Sequence, residues 1–199
     1  GILFHQAYCQ YPVCNPSRSS FLTGKRPQEL GILSNSIPVR EKWPDLVTLP
    51  QHFRDNGYFT AGLGKILHKG LDENGQGTLF RDDLSFDEYV NKHSDTPPIG
   101  KEGDGRTLGD GSIGWARWLA AEGGDEAQPD GMLAKEAVRI LEENHEKPFF
   151  ISLGFHKPHD PFIAPKEYFE RYPLDEIKLA KEPEDRSERL QYAIGSDQF

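Results

Sequence analysis

The chain has 199 residues, and 32 Asp and Glu against 23 Lys and Arg leave a formal net charge of −9. That balance argues against non-specific nucleic-acid binding, which needs a basic face, and no apolar run approaches the ~20 residues that span a bilayer. With 36% apolar residues, 15 Pro and 20 Gly, a core is possible but much of the chain must be loop or surface.

Residues 2–8 (ILFHQAY) read as an extended segment. A helix is expected next, with Pro16 suited to its first position, Ser17, Ser19 and Ser20 to its first turn and Gly24 to its stop. Pro27, Pro38 and Pro44 punctuate a loop over 25–45. Thr48 caps a short helix, LPQHFRDN, that ends at Gly57, with Leu49 and Phe53 on one apolar face. Tyr58 to Leu63 reads as a short buried strand.

The stretch 69–128 is rich in Gly, Asp and Glu and reads as a long insertion with little regular structure beyond a short helix around 115–121. Asp130 caps a helix over 131–145 whose stripe is Leu133, Ala137, Ile140 and Leu141. A strand follows at 149–155, then the Pro-rich segment His156–Phe162, then a helical piece near 166–171. Strands alternating with helices predict α/β layers around a mostly parallel sheet. In such folds ligands gather at the carboxyl ends of strands, where the segments after 2–8, 58–63 and 149–155 lie.

The first of these segments is Cys14-Asn15-Pro16-Ser17-Arg18, followed by Leu22-Thr23-Gly24. It sets a Cys just before a helix whose N–H groups and dipole favour negative charge, with Arg18 one turn on as a rigid cationic fork. A nucleophile beside an anion pocket is what sulfate or phosphate ester chemistry requires. The same residues also suit a buried Cys at an ordinary helix start. Gly64-Lys65-Ile66-Leu67-His68 and Pro158-His159-Asp160-Pro161 are each equally readable alone as a turn with a surface Lys or His.

Together and in this order, C-x-P-S-R with L-T-G, G-K-x-x-H and P-H-x-P resemble the type I, formylglycine-dependent sulfatases. The flank His156-Lys157 and the Lys–His spacing are more similar to the branch holding iduronate-2-sulfatase and its bacterial relatives than to arylsulfatases. The resemblance implies an alkaline-phosphatase-like α/β fold. It implies that a formylglycine-generating enzyme oxidises Cys14 to an aldehyde. One hydroxyl of the aldehyde hydrate then attacks sulfur, and the other expels sulfate. It further implies that Arg18 and Lys65 stabilise charge, that His68 moves a proton at the hydrate, and that His159 holds sulfate or protonates the leaving group. The substrate would be a sulfated sugar or glycan, and the compartment secreted, periplasmic or lysosomal, although no signal peptide opens the sequence at Gly1.

The match is good over 2–70 and 129–173 and poor over 71–128. The chain is expected to be one partial catalytic domain over 1–199, from the N-terminal and middle part of a sulfatase, with a loop-rich insertion at about 71–128 and little activity by itself. The family's Ca2+ is expected in the complete protein. Here only the Cys14-derived formylglycine is identified as a ligand, since the family's other acidic ligands have no counterpart and Asp82-Asp83 is out of order. Cys9 is expected to be a small buried residue, because pairing with Cys14 would block maturation. The rivals are a phosphonate or phosphate monoester hydrolase of the same superfamily and a non-catalytic binder of sulfated glycans.

Overall fold

The computed structural model describes residues 1–71, 74, 77–92, 102–107, 117–179 and 181. In chain order the elements are α1 (Cys14–Thr23), α2 (Pro27–Leu30), α3 (Val39–Lys42), α4 (Leu49–Asp55), β1 (Phe59–Gly64), β2 (Lys69–Leu71), β3 (Gly77–Leu79), β4 (Glu88–Val90), β5 (Gly103–Thr107), β6 (Arg117–Ala121), α5 (Pro129–Asn144), β7 (Phe149–Gly154), β8 (Phe162–Pro165) and α6 (Lys166–Glu170). They fall into two compact units, residues 1–94 with 129–156 and residues 95–128 with 157–199.

The first unit is built on a parallel sheet in the order β4-β1-β7. β1 runs in register with β7 from Phe59 opposite Phe149 to Gly64 opposite Gly154, and with β4 from Ala61 opposite Glu88. A central parallel strand is covered on both faces, which is why Thr60 to Lys65 is buried without interruption. On one face Ala61 and Leu63 meet Leu133, Ala137 and Ile140 of α5. Leu22, Leu30, Ile32, Val39, Ile66, Leu67 and Phe86 form a second apolar cluster. Leu141 lies outside the expected stripe at 41% exposure, and Asn144 takes the buried position one turn beyond Ile140. The Thr48 hydroxyl accepts the Gln51 N–H and starts α4. Phe53 stacks on Phe150 with centroids 4.3 Å apart, whereas Leu49 points outward, so the apolar face of α4 rests on Pro50 and Phe53.

Three expectations are corrected in this unit. Residues 2–8 form no strand, and Ile2, Leu3, Phe4 and Tyr8 are exposed: a strand needs a neighbour for its N–H and C=O groups, and none pairs with this segment among the described residues. Cys9 is exposed rather than buried, and both cysteines are free thiols. The loop over 25–45 carries two single-turn helices, α2 started by Pro27 and α3 set by buried Val39 and Arg40. Within the expected loop-rich stretch, β4 joins the main sheet and β2 pairs with β3, while 72–73, 75–76, 93–101 and 108–116 lie outside the described residues.

In the second unit β5 and β6 pair antiparallel, and β6 and β8 pair parallel. The helix expected around 115–121 is a strand over Arg117–Ala121. Its backbone is claimed on both sides, by β5 and by β8, and those ladders override helical propensity; residues 115 and 116 lie outside the described residues. α6 packs here, with the rings of Phe169 and Trp118 5.8 Å apart and the Tyr168 hydroxyl donating to Asp125 at 3.0 Å.

Candidate active site

The signature helix begins two residues before Pro16, its expected first position. Val13 is extended (φ −134°, ψ 142°) and its carbonyl accepts the Ser17 N–H at 3.1 Å, so Cys14 is the first helical residue rather than the one before it. Pro16 sits in the first turn, where its missing N–H costs no helical bond. The first turn carries no acidic side chain, which leaves its positive end unopposed. Gly24 closes the helix at φ +70°, as the sequence predicts.

Asn15, which the sequence reading passed over, anchors this end. Its side-chain amide donates to the carbonyls of Ser34 (3.0 Å) and Ile37 (2.7 Å), and its N–H is accepted by Asn35 Oδ1 at 2.9 Å. Asn15 is buried, so the position of Cys14 is fixed from behind by three hydrogen bonds. The Asn15 N–H is thereby taken up, Pro16 has none, and the Ser17 N–H goes to the Val13 carbonyl.

Arg18 turns inward. Its Nη1 donates to the carbonyls of Lys65 (2.5 Å) and Ile66 (3.0 Å), so one guanidinium ties the start of α1 to the turn after β1. Burial lowers the Arg18 pKa from its ordinary value, and the negative charge of a Cys14 thiolate raises it in part.

The turn after β1 is held just as closely. The Lys65 N–H donates to Gly154 O at 2.8 Å, and the Tyr89 hydroxyl donates to Gly64 O at 2.5 Å. Burial pushes the Tyr89 phenol far above its ordinary range, so it stays a donor at any working pH. Lys65 is only 4% exposed, and its ammonium lies 5.4 Å from the centroid of the Phe80 ring. His68, half-buried, stands edge-on to the same ring at 6.4 Å. Thus Cys14, Arg18, Lys65 and His68 belong to two segments that Arg18 joins. Phe80 and Tyr89 escaped the sequence reading because they fall in a stretch whose composition suggested loop.

His159 lies in the second unit and is described by its own surroundings. Its Nδ1 is 2.7 Å from the Asp160 carbonyl oxygen and 3.0 Å from Asp160 Oδ1, which favours a proton on that nitrogen. Lys157 Nζ donates to Pro161 O at 2.6 Å and closes the loop around it.

The described residues do not by themselves make up a calcium site. Among the described residues no group of three or more His, Cys, Asp and Glu could hold a metal ion. The most buried carboxylate, Asp82, is committed to Arg40 at 2.9 Å. Also among the described residues, no helix is long and apolar enough to cross a membrane.

The model of the family described as Sulfatase matches residues 1–198. The chain belongs to the sulfatase family. Iduronate 2-sulfatase of Mus musculus is 35% identical over 192 residues, covering 92% of this chain and 33% of that protein. A sulfatase of Formosa agariphila is 33% identical over 193 residues, covering 89% of this chain and 36% of that protein. The chain therefore spans about a third of the length of these sulfatases. Among solved structures, the phosphonate monoester hydrolase of Agrobacterium radiobacter matches 81% of this chain and 35% of its own with a TM-score of 0.60 at 19% identity. That likeness establishes the family's α/β fold, with its parallel sheet flanked by helices, for this chain.

Proposed function

We propose that this chain carries the nucleophile and much of the sulfate cradle of a sulfuric ester hydrolase, as part of that enzyme's catalytic domain. Cys14 is the residue that a formylglycine-generating enzyme would oxidise. The resulting aldehyde hydrate supplies one hydroxyl to attack sulfur and a second to release sulfate. Arg18 and Lys65 offset the charge that grows on the sulfuryl oxygens. His68 moves a proton at position 14, and His159 holds a sulfate oxygen or protonates the departing alcohol.

The observation that supports this reading is the pair of bonds from Arg18 Nη1 to the carbonyls of Lys65 and Ile66. They bring the C-x-P-S-R helix and the G-K-x-x-H turn together, which two unrelated surface turns would have no reason to do. The net charge of −9 repels an anionic substrate only at a distance. Close cationic contacts outweigh that screened field. Identities of 35% and 34% to iduronate 2-sulfatases of Mus musculus and Homo sapiens favour a sulfated sugar of the iduronate type as substrate. No step here is routed through calcium, which the complete active site would hold with the Cys14-derived formylglycine and further ligands not identified among the described residues.

The test uses the full-length protein co-expressed with a formylglycine-generating enzyme. The peptide spanning Cys14 should carry the aldehyde mass, and aryl sulfate should turn over faster than aryl phosphate. Cys14→Ala should abolish turnover. Faster aryl phosphate hydrolysis would move the assignment to the monoester hydrolases. Glycan binding that survives Cys14→Ala, with no sulfate released by either form, would make the protein a binder.

A further inference from the structure

We infer that Phe80 is a positioning residue of the sulfate cradle, its ring serving as the common surface against which Lys65, His68 and His156 are set. The inference rests on the sulfatase reading above and adds to it a residue that none of its motifs contains.

Three observations carry it. First, the backbone of Phe80 has φ +72°, and no other non-glycine described residue has a positive φ. A bulky L side chain rarely adopts that conformation, and Gly or Asn would adopt it at less cost, so the ring must be explained by what it touches. Second, Phe80 is buried to 8% exposure yet belongs to neither apolar cluster of the unit. Its ring instead meets basic groups. The Lys65 ammonium is 5.4 Å from its centroid, His68 is edge-on at 6.4 Å, and His156 is edge-on at 5.7 Å.

Third, two backbone bonds hold Phe80 to the turn after β1. Phe80 O accepts the Leu67 N–H at 3.1 Å, and the Phe80 N–H donates to His68 O at 3.3 Å. The His156 N–H is fixed by Asp130 Oδ1 at 2.8 Å, which ties the end of β7 to the start of α5 and presents that imidazole to the ring.

The physical role follows from the ring's quadrupole. The face of Phe80 attracts a desolvated ammonium, so it compensates part of the cost of burying Lys65 and fixes where the charge points. Set against the same ring, His156 enters the cradle's wall beside His68, a role its place in His-Lys-Pro-His does not reveal.

The test replaces Phe80 in the full-length, matured protein with mono-, di- and trifluorinated phenylalanine, which weaken the face stepwise with little change of shape. Phe80→Leu is added as the variant that keeps apolar bulk and removes the face. Calorimetric binding of inorganic sulfate and kcat/KM on aryl sulfate should both fall along the series, reaching on the order of tenfold. Thermal midpoints of the fluorinated proteins should fall by no more than a few degrees, the scale of one weakened cation–π contact. Constant sulfate affinity across the fluorinated series would overturn the inference. Wild-type protein that binds sulfate without turning over sulfate esters would instead overturn the enzymatic reading, and the binding series would still decide the role of Phe80.

Discussion

Arg40 and Asp82 form a buried ion pair in which every guanidinium N–H has an acceptor. The two side chains are 2% and 1% exposed, with Nη2 2.9 Å from Asp82 Oδ2. Nε donates to the same carboxylate, Nη1 to the carbonyls of Pro44 and Leu46, and Nη2 also to Gln51 Oε1. The Ser85 hydroxyl donates to Asp82 at 2.5 Å and shares a 2.6 Å hydrogen bond with Thr48. The network therefore pins α3, the cap of α4 and the approach to β4 to one another. Asp82→Ala would leave a buried guanidinium uncompensated and should cost about 3–5 kcal/mol in a urea titration. The double variant Arg40→Met with Asp82→Leu should be less damaging than the single one. Equal losses in the two would mean that the charges matter less than the volume they fill.

Arg18→Lys tests the bridge between the signature helix and the turn after β1. The guanidinium serves two carbonyls through one nitrogen. An ammonium is a compact point charge and cannot reproduce that fork. Under the proposed chemistry kcat/KM on aryl sulfate should drop about 100-fold or more, the scale of losing one oriented donor to a developing charge. The thermal midpoint should move far less. A variant with near wild-type turnover would remove Arg18 from the machinery.

Asp87 gives a prediction in pH. Partial burial pushes its carboxyl up. The Thr60 N–H, Arg54 Nε and the Thr60 hydroxyl, at 2.9, 2.8 and 3.1 Å, together outweigh that and bring the folded pKa below its ordinary value. A depressed folded pKa means that the folded state binds fewer protons in acid than the unfolded state. The stabilisation is present above the unfolded pKa of about 4 and is lost as pH falls through the lower, folded value. Urea midpoints measured from about pH 6 down to pH 3 should fall less steeply for Asp87→Asn than for the wild type. Parallel curves would show that other carboxylates account for the acid sensitivity.

The parts of the fold that were legible in the sequence are those that local rules decide. Thr48 as a cap, Gly24 as a left-handed stop, the strand before Gly64, and the stripe Leu133, Ala137 and Ile140 all stand where short-range chemistry puts them. Legibility failed where partners distant in sequence decide. Residues 117–121 pair with 103–107 and 162–165, and no window around Trp118 contains either. The segment 2–8 has extended composition but no described neighbour to pair with. Motif spacing singled out Cys14, Arg18, Lys65, His68 and His159 as candidates for the site. It had no means of locating Asn15, Phe80 or Tyr89, whose roles arise from contacts 19 to 25 positions away or from backbone conformation.

Gly64 concentrates these constraints in one residue. It ends β1 at φ +72°, it precedes Lys65, and its carbonyl accepts the Tyr89 hydroxyl. A Cβ at this position would run into the Gly154 carbonyl and the Leu133 side chain. Gly64→Ala therefore meets two penalties: a left-handed conformation worth about 1–2 kcal/mol against an L residue, and a clash between β1 and β7 relieved only by moving one strand end. The clash is with backbone on one side, so relief comes from shifting the turn that carries Lys65. Activity on aryl sulfate should fall well beyond what the loss of stability explains, with kcat/KM reduced even at temperatures where the variant is fully folded. Tyr89→Phe, which loosens the same carbonyl without adding bulk, should show a smaller loss of the same kind. If Gly64→Ala lowers the thermal midpoint yet turns over substrate normally once folded, the turn tolerates displacement and the placement of Lys65 is set elsewhere.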